Sequence, residues 1–235
     1  MITTPKAGFA EFLGTFTLVF LGAGAGSLAD PGSAGLTAVA LTHGIALMFI
    51  IYTWGWISGA HVNPAVTLGA LLGGKIDFGK AIVYWIAQFA GGIAAAYLLA
   101  YLLGPESGLG QTTGKFTDAA LAGDSDAKIK VIVVEAILTF FLVASVFSNG
   151  LAGKNGNVVG IAIGFVLIAD ILFGGSLTGA SMNPCANLGP RVGEEQHGLR
   201  LDVHRRSSVG GGLAGLLYNA IYLVNDEPVV TTRKK

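Results

Sequence analysis

The sequence predicts an all-α membrane protein with six transmembrane helices plus two re-entrant half-helices in an inverted repeat. Three observations predict it. Apolar residues make up 52% of the chain and charged residues only 12%, against roughly a quarter charged in soluble domains. The charged residues are bunched, which leaves apolar spans near the roughly 20 residues that a membrane-crossing helix needs. A phrase built around Asn-Pro also occurs twice, at positions 63 and 183, with a spacing of 120.

The first half contains three predicted crossings and one short helix. The crossings are predicted at 8–28, 36–57 and 81–103. Residues 66–72 follow the first Asn-Pro phrase and are too few to cross, since an α-helix rises only about 1.5 Å per residue. We therefore predict a re-entrant segment between the second and third crossings.

The second half repeats this order after a polar stretch. Residues 104–130 are predicted to form a linking loop, followed by crossings at 131–147, 158–173 and 208–224. The last crossing is short and rich in glycine, and its Gly211-x-x-x-Gly215 spacing favours close helix packing. The chain is therefore predicted to be a single membrane domain, 1–235, with repeats at about 8–103 and 131–224.

Two further pairs relate the halves to each other. Glu11 and Glu135 each precede a similar apolar run that ends in Thr-Phe, and Gly44 and Gly164 keep the spacing of 120. Each half has an odd number of crossings, so the second half enters the membrane from the opposite side. Inverted repeats of this kind place their functional centre near the bilayer midplane, between discontinuous helices.

Basic residues predict the orientation. In a six-span arrangement one side carries most of them, and that side is predicted to be cytoplasmic, with both termini: Lys6, Lys75, Lys80, Lys154 and 233–235. The basic stretch 200–206 falls on the opposite side and breaks this rule. We expect a multi-pass protein of the cell membrane, with the lipid bilayer as its surroundings.

The two phrases cover 59–66 and 179–186. Asn is a good helix N-cap, and Pro suits the first helical position because its missing N–H would be unpaired there. We expect Asn63 and Asn183 to cap two half-helices end to end and to donate their amide N–H groups to one water. Helix ends of roughly +0.5 charge each would repel cations and hydronium. The carbonyls of 59–62 and 179–182 are expected to accept hydrogen bonds from passing solute, since irregular backbone at this depth must line a cavity.

These motifs resemble the aquaporin, or major intrinsic protein, family, whose signature is paired Asn-Pro-Ala loops in an inverted repeat. The resemblance covers about residues 8–224. It is carried by the pore motifs Asn63-Pro64-Ala65 and Asn183-Pro184-Cys185. It implies the aquaporin fold, a passive channel for water and small neutral solutes, and a homotetramer with one pore per subunit.

The resemblance also implies the role of the two membrane carboxylates. Glu11 and Glu135 would accept hydrogen bonds from N–H groups of the re-entrant loops, and Gln88 would join two helices. The residues themselves leave an alternative, because membrane carboxylates also serve proton-coupled secondary transporters.

A selectivity ring is implied at positions counted from the two Asn residues: His43, Ile171, Ala180 and Ala186. This set resembles plant tonoplast-type members more than strict water channels. Ile171 in place of a second His makes the ring wider and less polar. We expect it to admit water and ammonia, and the alternative is a facilitator that also passes urea or glycerol.

The sequence departs from the family after the second motif. Ala186 stands where the family has a ring-lining Arg, and Cys185 where it has Ala. Arg191 is five residues further and would point about 140° away on a helix. The charged stretch 197–206 stands where the last crossing should open. Two explanations are open: compensated shifts of the reading frame, or a divergent outer loop with a shortened last helix.

The sequence contains no motif that is typical of an enzyme or of a metal-binding protein. There is no catalytic triad, phosphate-binding loop or metal cluster in the sequence, so we expect no enzyme activity, cofactor or metal. The formal net charge is zero, so we expect no nucleic-acid partner. The remaining rival to a channel or transporter is a closed-pore structural scaffold.

Overall fold

The computed structural model describes residues 3–29, 32–104, 107, 113–151, 156–187, 210–217 and 220–221. Within these residues, five helices are long and apolar enough to cross a membrane. The chain is therefore a multi-pass α-helical membrane protein, as the composition predicted.

The first half has the predicted order. Its helices are α1 (Thr4–Leu28), α2 (Ser33–Ser58), α3 (Pro64–Leu72) and α4 (Phe78–Leu103). Helix α3 spans nine residues, which is too short to cross, and it begins at the proline of the first motif. Asp77 ends the following turn, and its side chain accepts a hydrogen bond from the Lys80 N–H at the start of α4.

The second half is described in part. Its elements are α5 (Lys115–Leu121), α6 (Ser125–Ser145), a π-helical turn (Val146–Leu151), a 3-10 turn (Gly156–Val158), α7 (Val159–Thr178), a 3-10 turn (Pro184–Asn187) and α8 (210–217). Of the predicted sixth crossing, only α8 and residues 220–221 are described. Lys154, Arg191, the charged stretch 197–206 and the tail 233–235 lie outside the described residues.

The prediction of a loop over 104–130 was wrong in its second part. Helix α5 lies inside it, and α6 begins at Ser125, capped by the Asp124 side chain. Helix α5 forms because Phe116, Ala119 and Ala120 pack against Ala127 and Val131 of α6. The polar composition hid this short amphipathic face.

Helices α2 and α7 cross at two glycines that the repeat relates. A Cβ placed on Gly44 would lie 2.7 Å from the Gly164 carbonyl oxygen, and a Cβ on Gly164 would lie 2.7 Å from that of Gly44. The absence of side chains at both positions therefore lets the two backbones meet. This crossing joins the halves of the repeat, while α1 packs along α2 and α4.

Helix α8 packs against α3 through small residues, as the Gly-x-x-x-Gly spacing predicted. A Cβ on Gly215 would overlap the Gly69 carbonyl, and a Cβ on Gly211 would overlap that of Ala65. Gly73 continues the α3 side, with the Gly215 carbonyl oxygen 3.1 Å from its Cβ position. Close approach of this kind fits helices packed by van der Waals contact in a membrane.

Candidate functional site

The two re-entrant loops begin in the same way. Helix α2 ends at Gly59 and α7 ends at Gly179, both in the left-handed conformation, with φ of 95° and 89°. Each glycine N–H donates to the carbonyl four residues back, Gly55 or Gly175. Glycine closes the helix at no steric cost in this conformation, and the chain then turns into the protein interior.

The next residues hold a strained backbone. Ala60, Val62, Ala180 and Met182 all have positive φ, between 41° and 49°. Positive φ is uncommon without glycine and is a clear outlier for a β-branched residue such as Val62. Such strain persists only where surrounding contacts determine the conformation.

Two buried carboxylates supply those contacts. Glu11 accepts hydrogen bonds from the main-chain N–H groups of His61 at 2.9 Å and Val62 at 2.6 Å, and from the Ser58 hydroxyl at 2.6 Å. The Gln88 side-chain amide also donates to Glu11, at 2.7 Å, and to the Thr67 hydroxyl. The first loop is thus tied to α1, α3 and α4.

Glu135 occupies the equivalent place in the second loop. It accepts from the N–H groups of Ser181 at 3.1 Å and Met182 at 3.0 Å, and from the Thr178 hydroxyl at 2.6 Å. Both carboxylates are at most 1% exposed. Thr178 and Met182 bond to Glu135 as Ser58 and Val62 bond to Glu11. The inverted repeat therefore extends to single hydrogen bonds.

The two motif asparagines bind the opposite loop. Asn63 Nδ2 donates to the Met182 carbonyl and Asn183 Nδ2 donates to the Val62 carbonyl, each at 3.0 Å. Their Oδ1 atoms accept from the N–H groups two residues on, those of Ala65 at 2.8 Å and Cys185 at 3.0 Å. Each side chain therefore caps its own helix start and ties the two loops together.

This arrangement bears on two expectations. One N–H of each motif amide is engaged across the loops, and the second N–H of each is the one that stays predicted to donate to water. The carbonyls of Val62 and Met182, which are expected to accept hydrogen bonds from passing solute, also accept these amides. The reason is that buried carbonyls need a partner, and the inverted repeat brings each one beside the other loop's asparagine.

The helix that follows Asn63 is described in full, whereas only one turn is described directly after Asn183. Asn63 caps the nine residues of α3, so a complete helix N-terminus faces the meeting point. On the other side the 3-10 turn Pro184–Asn187 is described, and residues 188–209 lie outside the described part of the chain. Cys185, in the place of the motif alanine, is fully buried against α4. Its carbonyl oxygen lies 3.1 Å from the position that a Cβ on Gly92 would take.

A cavity of about 450 Å³ passes the two asparagines. Asn63 and Asn183 line it, and so do all four residues of the expected ring: His43, Ile171, Ala180 and Ala186. The structure therefore brings every sequence-predicted ring position to one cavity. Their role in selectivity remains a prediction.

His43 is the polar member of this set. Its Nδ1 donates to the Val39 carbonyl at 2.9 Å, so in the neutral ring Nε2 is the hydrogen-bond acceptor. A Cβ on Gly22 would overlap the imidazole. Gly22 of α1 therefore makes room for His43, which no sequence motif indicated.

Sequence reasoning assigned no pore role to the side chains of Thr113 and His61. Thr113 lines the cavity because Gly114 packs against α7, where a Cβ would lie 2.7 Å from the Thr178 nitrogen. His61 lines it from the first loop, with Nδ1 3.1 Å from the Thr67 hydroxyl and its ring edge-on to Tyr84. His61 stands beside the first motif, which was the available signal. Nothing in the loop composition pointed to Thr113.

Comparison with known proteins agrees with this geometry. The family model described as Major intrinsic protein matches residues 1–218. Aquaporin TIP1-1 of Zea mays is 39% identical over 93% of this chain and 87% of its own length. A probable aquaporin TIP-type of Medicago truncatula is 39% identical over 94% of this chain and 88% of its own.

A solved structure shares the fold. The aquaglyceroporin from Plasmodium falciparum superimposes with a TM-score of 0.72 at 24% identity, covering 93% of this chain and 97% of that one. The helical order, the reciprocal asparagine loops and the family match lead to one conclusion. This chain belongs to the major intrinsic protein family and has the aquaporin fold.

Proposed function

We propose that this chain, a passive membrane channel for water and small neutral solutes, excludes protons where Asn63 and Asn183 meet. The observation that carries the proposal is the pair of reciprocal bonds, Asn63 to Met182 and Asn183 to Val62. They hold both side-chain amides at the wall of one cavity. The second N–H of each amide can then donate to a water oxygen.

A water that accepts from both amides has its lone pairs occupied and cannot also pass a proton along a chain of waters. The α3 N-terminus adds partial positive charge at this point. Half-helix dipoles of this kind raise the barrier to cations and protons in water channels. Water would therefore pass while hydronium would not.

We propose His43, Ile171, Ala180 and Ala186 as the selectivity ring. Ala180 and Ile171 are buried, and His43 and Ala186 are half-buried at the cavity wall. The ring would combine one hydrogen-bond acceptor, Nε2 of His43, with three apolar side chains. Such a ring favours small neutral solutes, with water and ammonia first and urea or glycerol as the alternative.

The contacts of Glu11 and Glu135 support a structural role over proton coupling. Each accepts two main-chain N–H groups and one hydroxyl from its own loop. A carboxylate that must take up and release a proton would have to give up these bonds in every cycle. We therefore propose that both serve to hold the strained loops.

Assembly and orientation are further proposals. We propose a homotetramer in the cell membrane, with one pore per subunit and with both termini cytoplasmic. Lys6, Lys75 and Lys80 lie at the same end of the helical topology, which supports that orientation. Chemical cross-linking in liposomes, followed by mass measurement, tests the tetramer.

Flux measurements on one preparation test the proposed function. Proteoliposomes are given an osmotic step while light scattering reports volume and an internal dye reports pH. Rapid shrinkage with a proton flux equal to that of empty liposomes supports the proposal. A proton flux that rises in proportion to the amount of protein would overturn proton exclusion.

A further inference from the structure

The end of α6 is unusual in its hydrogen bonding. The segment Val146–Leu151 is a π-helical turn, and such turns are rare and frequent at functional sites. It lies at the opposite end of the cavity from the ring. Along α7, Val159 at this end and Ile171 in the ring are separated by 12 residues, or about 18 Å.

This turn forms one wall of the cavity mouth. Val146, Asn149 and Gly150 line the cavity from the turn, and Gly156 and Val159 line it from the start of α7. Among these five, Asn149 has the only polar side chain. Ile51 and Ile163, which also line the cavity, extend the apolar surface.

Hydrogen bonds fix the Asn149 side chain. Its Nδ2 donates to the Ser145 carbonyl at 2.8 Å and to the Ser148 hydroxyl at 3.0 Å. The Ser148 hydroxyl donates to the same Ser145 carbonyl at 3.2 Å. A π turn shifts the main-chain pattern by one residue, and these side chains bind the carbonyl at its start. The turn thereby sets the direction of the amide.

Each wall of the mouth carries a glycine, Gly150 on the turn and Gly156 before α7. A Cβ on Gly150 or on Gly156 would meet nothing within 4 Å, so the mouth has open space at both glycines. Tyr52 of α2 fixes the segment that follows, because its hydroxyl donates to the Asn157 carbonyl at 2.8 Å. Gly160 lies against the same ring.

We propose that this π-helical turn is a second solute-contact site of the pore, with Asn149 as a specificity-determining residue. The inference rests on the proposed channel function. A narrow passage lined only by apolar groups loses its water. Both Nδ2 hydrogens of Asn149 are donated within the turn, so the group offered to solute is Oδ1, an amide oxygen that can accept two hydrogen bonds. Placed among Val146, Val159 and Ile163, it keeps this mouth hydrated and favours solutes that donate hydrogen bonds.

The first test replaces the amide. Asn149→Val should lower water permeability several-fold, and should lower ammonia permeability less, because ammonia forms weaker hydrogen bonds. Asn157→Val is the matched control. Its side chain is exposed and outside the cavity lining, and its bond to Tyr52 comes from the main chain. Equal water permeability in wild type and folded Asn149→Val would overturn the assignment of Asn149.

The second test blocks the mouth in a folded, conducting protein. Gly150→Cys fits without a clash, and a methanethiosulfonate reagent then adds bulk at that point. Water flux should fall to the level of empty liposomes after treatment. Wild type, whose Cys185 is fully buried, and Lys75→Cys, on an exposed turn outside the lining, should keep their flux.

Full flux in labelled Gly150→Cys would place the turn outside the solute path and overturn the inference. Different results would overturn the channel function and the solute-contact site at the turn. A folded wild-type protein with no water flux overturns the proposed function and this site with it. Wild-type flux that survives both Asn149→Val and the labelling of Gly150→Cys overturns this site alone.

Discussion

The side-chain amide of Asn63 donates a hydrogen bond to the main-chain carbonyl of Met182 over 3.0 Å, across 119 positions of sequence. The inverted repeat gives a matching bond, in which the Asn183 side-chain amide donates to the Val62 carbonyl at the same distance. Each asparagine thus fastens the loop that carries the other. Four residues of these loops have positive φ, so the fastening holds a backbone that would otherwise relax.

The first prediction concerns this reciprocal pair. Asn63→Ala removes a helix cap, worth about 1 kcal/mol, and leaves the buried Met182 carbonyl without its partner, at a cost of about 1–3 kcal/mol. We expect Asn63→Ala and Asn183→Ala each to lower the free energy of unfolding by roughly 2–4 kcal/mol. Unfolding in mixed detergent micelles measures this.

The double variant distinguishes coupling from independent caps. Since both bonds hold the same two loops, the loss in Asn63→Ala/Asn183→Ala should be smaller than the sum of the single losses. Strict additivity would show that the two asparagines act only as separate caps.

A second prediction concerns Glu11. In Glu11→Gln an amide nitrogen replaces one oxygen, so a donor faces either the Ser58 hydroxyl and the His61 N–H or the N–H groups of Val62 and Gln88. We expect a loss of about 2 kcal/mol of stability and a lower thermal unfolding midpoint. Glu135→Gln should behave in the same way.

The same variants discriminate against a proton-coupled transporter. If Glu11 carried protons, Glu11→Gln would give a stable protein whose transport no longer depends on a proton gradient. An unchanged unfolding midpoint together with that loss of gradient dependence would contradict the loop-supporting role.

A third prediction concerns the ring position Ala186. Ala186→Arg adds bulk and a fixed cation to a cavity that has no Asp, Glu, Lys or Arg among the described residues of its lining. We expect glycerol and ammonia permeability to fall by at least several-fold, while water permeability changes less. Ala186→Met is the control, because it adds similar bulk without charge. Equal solute permeability in all three proteins would remove Ala186 from the ring.

The coding sequence bears on the same position. If compensated frame shifts account for Cys185-Ala186 and for residues 192–206, resequencing the gene will show insertions or deletions at both places. A single intact frame would leave the divergent outer loop as the explanation.

A fourth prediction concerns the contact of α8 with α3. Gly215→Ala places a methyl group into the Gly69 carbonyl, which is backbone and cannot move aside cheaply. Overpacking of this kind costs about 1–3 kcal/mol. Leu216→Ala, at an exposed neighbouring position, is the control and should leave the unfolding midpoint almost unchanged. Equal midpoints for Gly215→Ala and wild type would refute the tight contact.

Most of the architecture could be predicted because membrane crossings depend on length and apolarity. The inverted repeat could be predicted from the spacing between Asn63 and Asn183. Helix α5 could not be predicted, because its apolar face consists of only three residues, Phe116, Ala119 and Ala120, within a polar stretch, and α6 packs on them only in the folded chain.

The pore wall was less predictable than its centre. Thr113 reaches the cavity because Gly114 packs against the end of α7, and His43 has room because Gly22 lacks a side chain. Both depend on residues distant in sequence. The positive φ of Val62 had no local signal either, since it is imposed by the bonds to Glu11 and Asn183.

The central claim is that this chain is a passive channel, and one measurement tests it most directly. Stopped-flow shrinkage of proteoliposomes is recorded with no ion gradient, with a proton gradient and with a sodium gradient. We predict shrinkage much faster than that of empty liposomes and equal under all three conditions. Shrinkage no faster than that of empty liposomes, or shrinkage that requires either gradient, would contradict the claim.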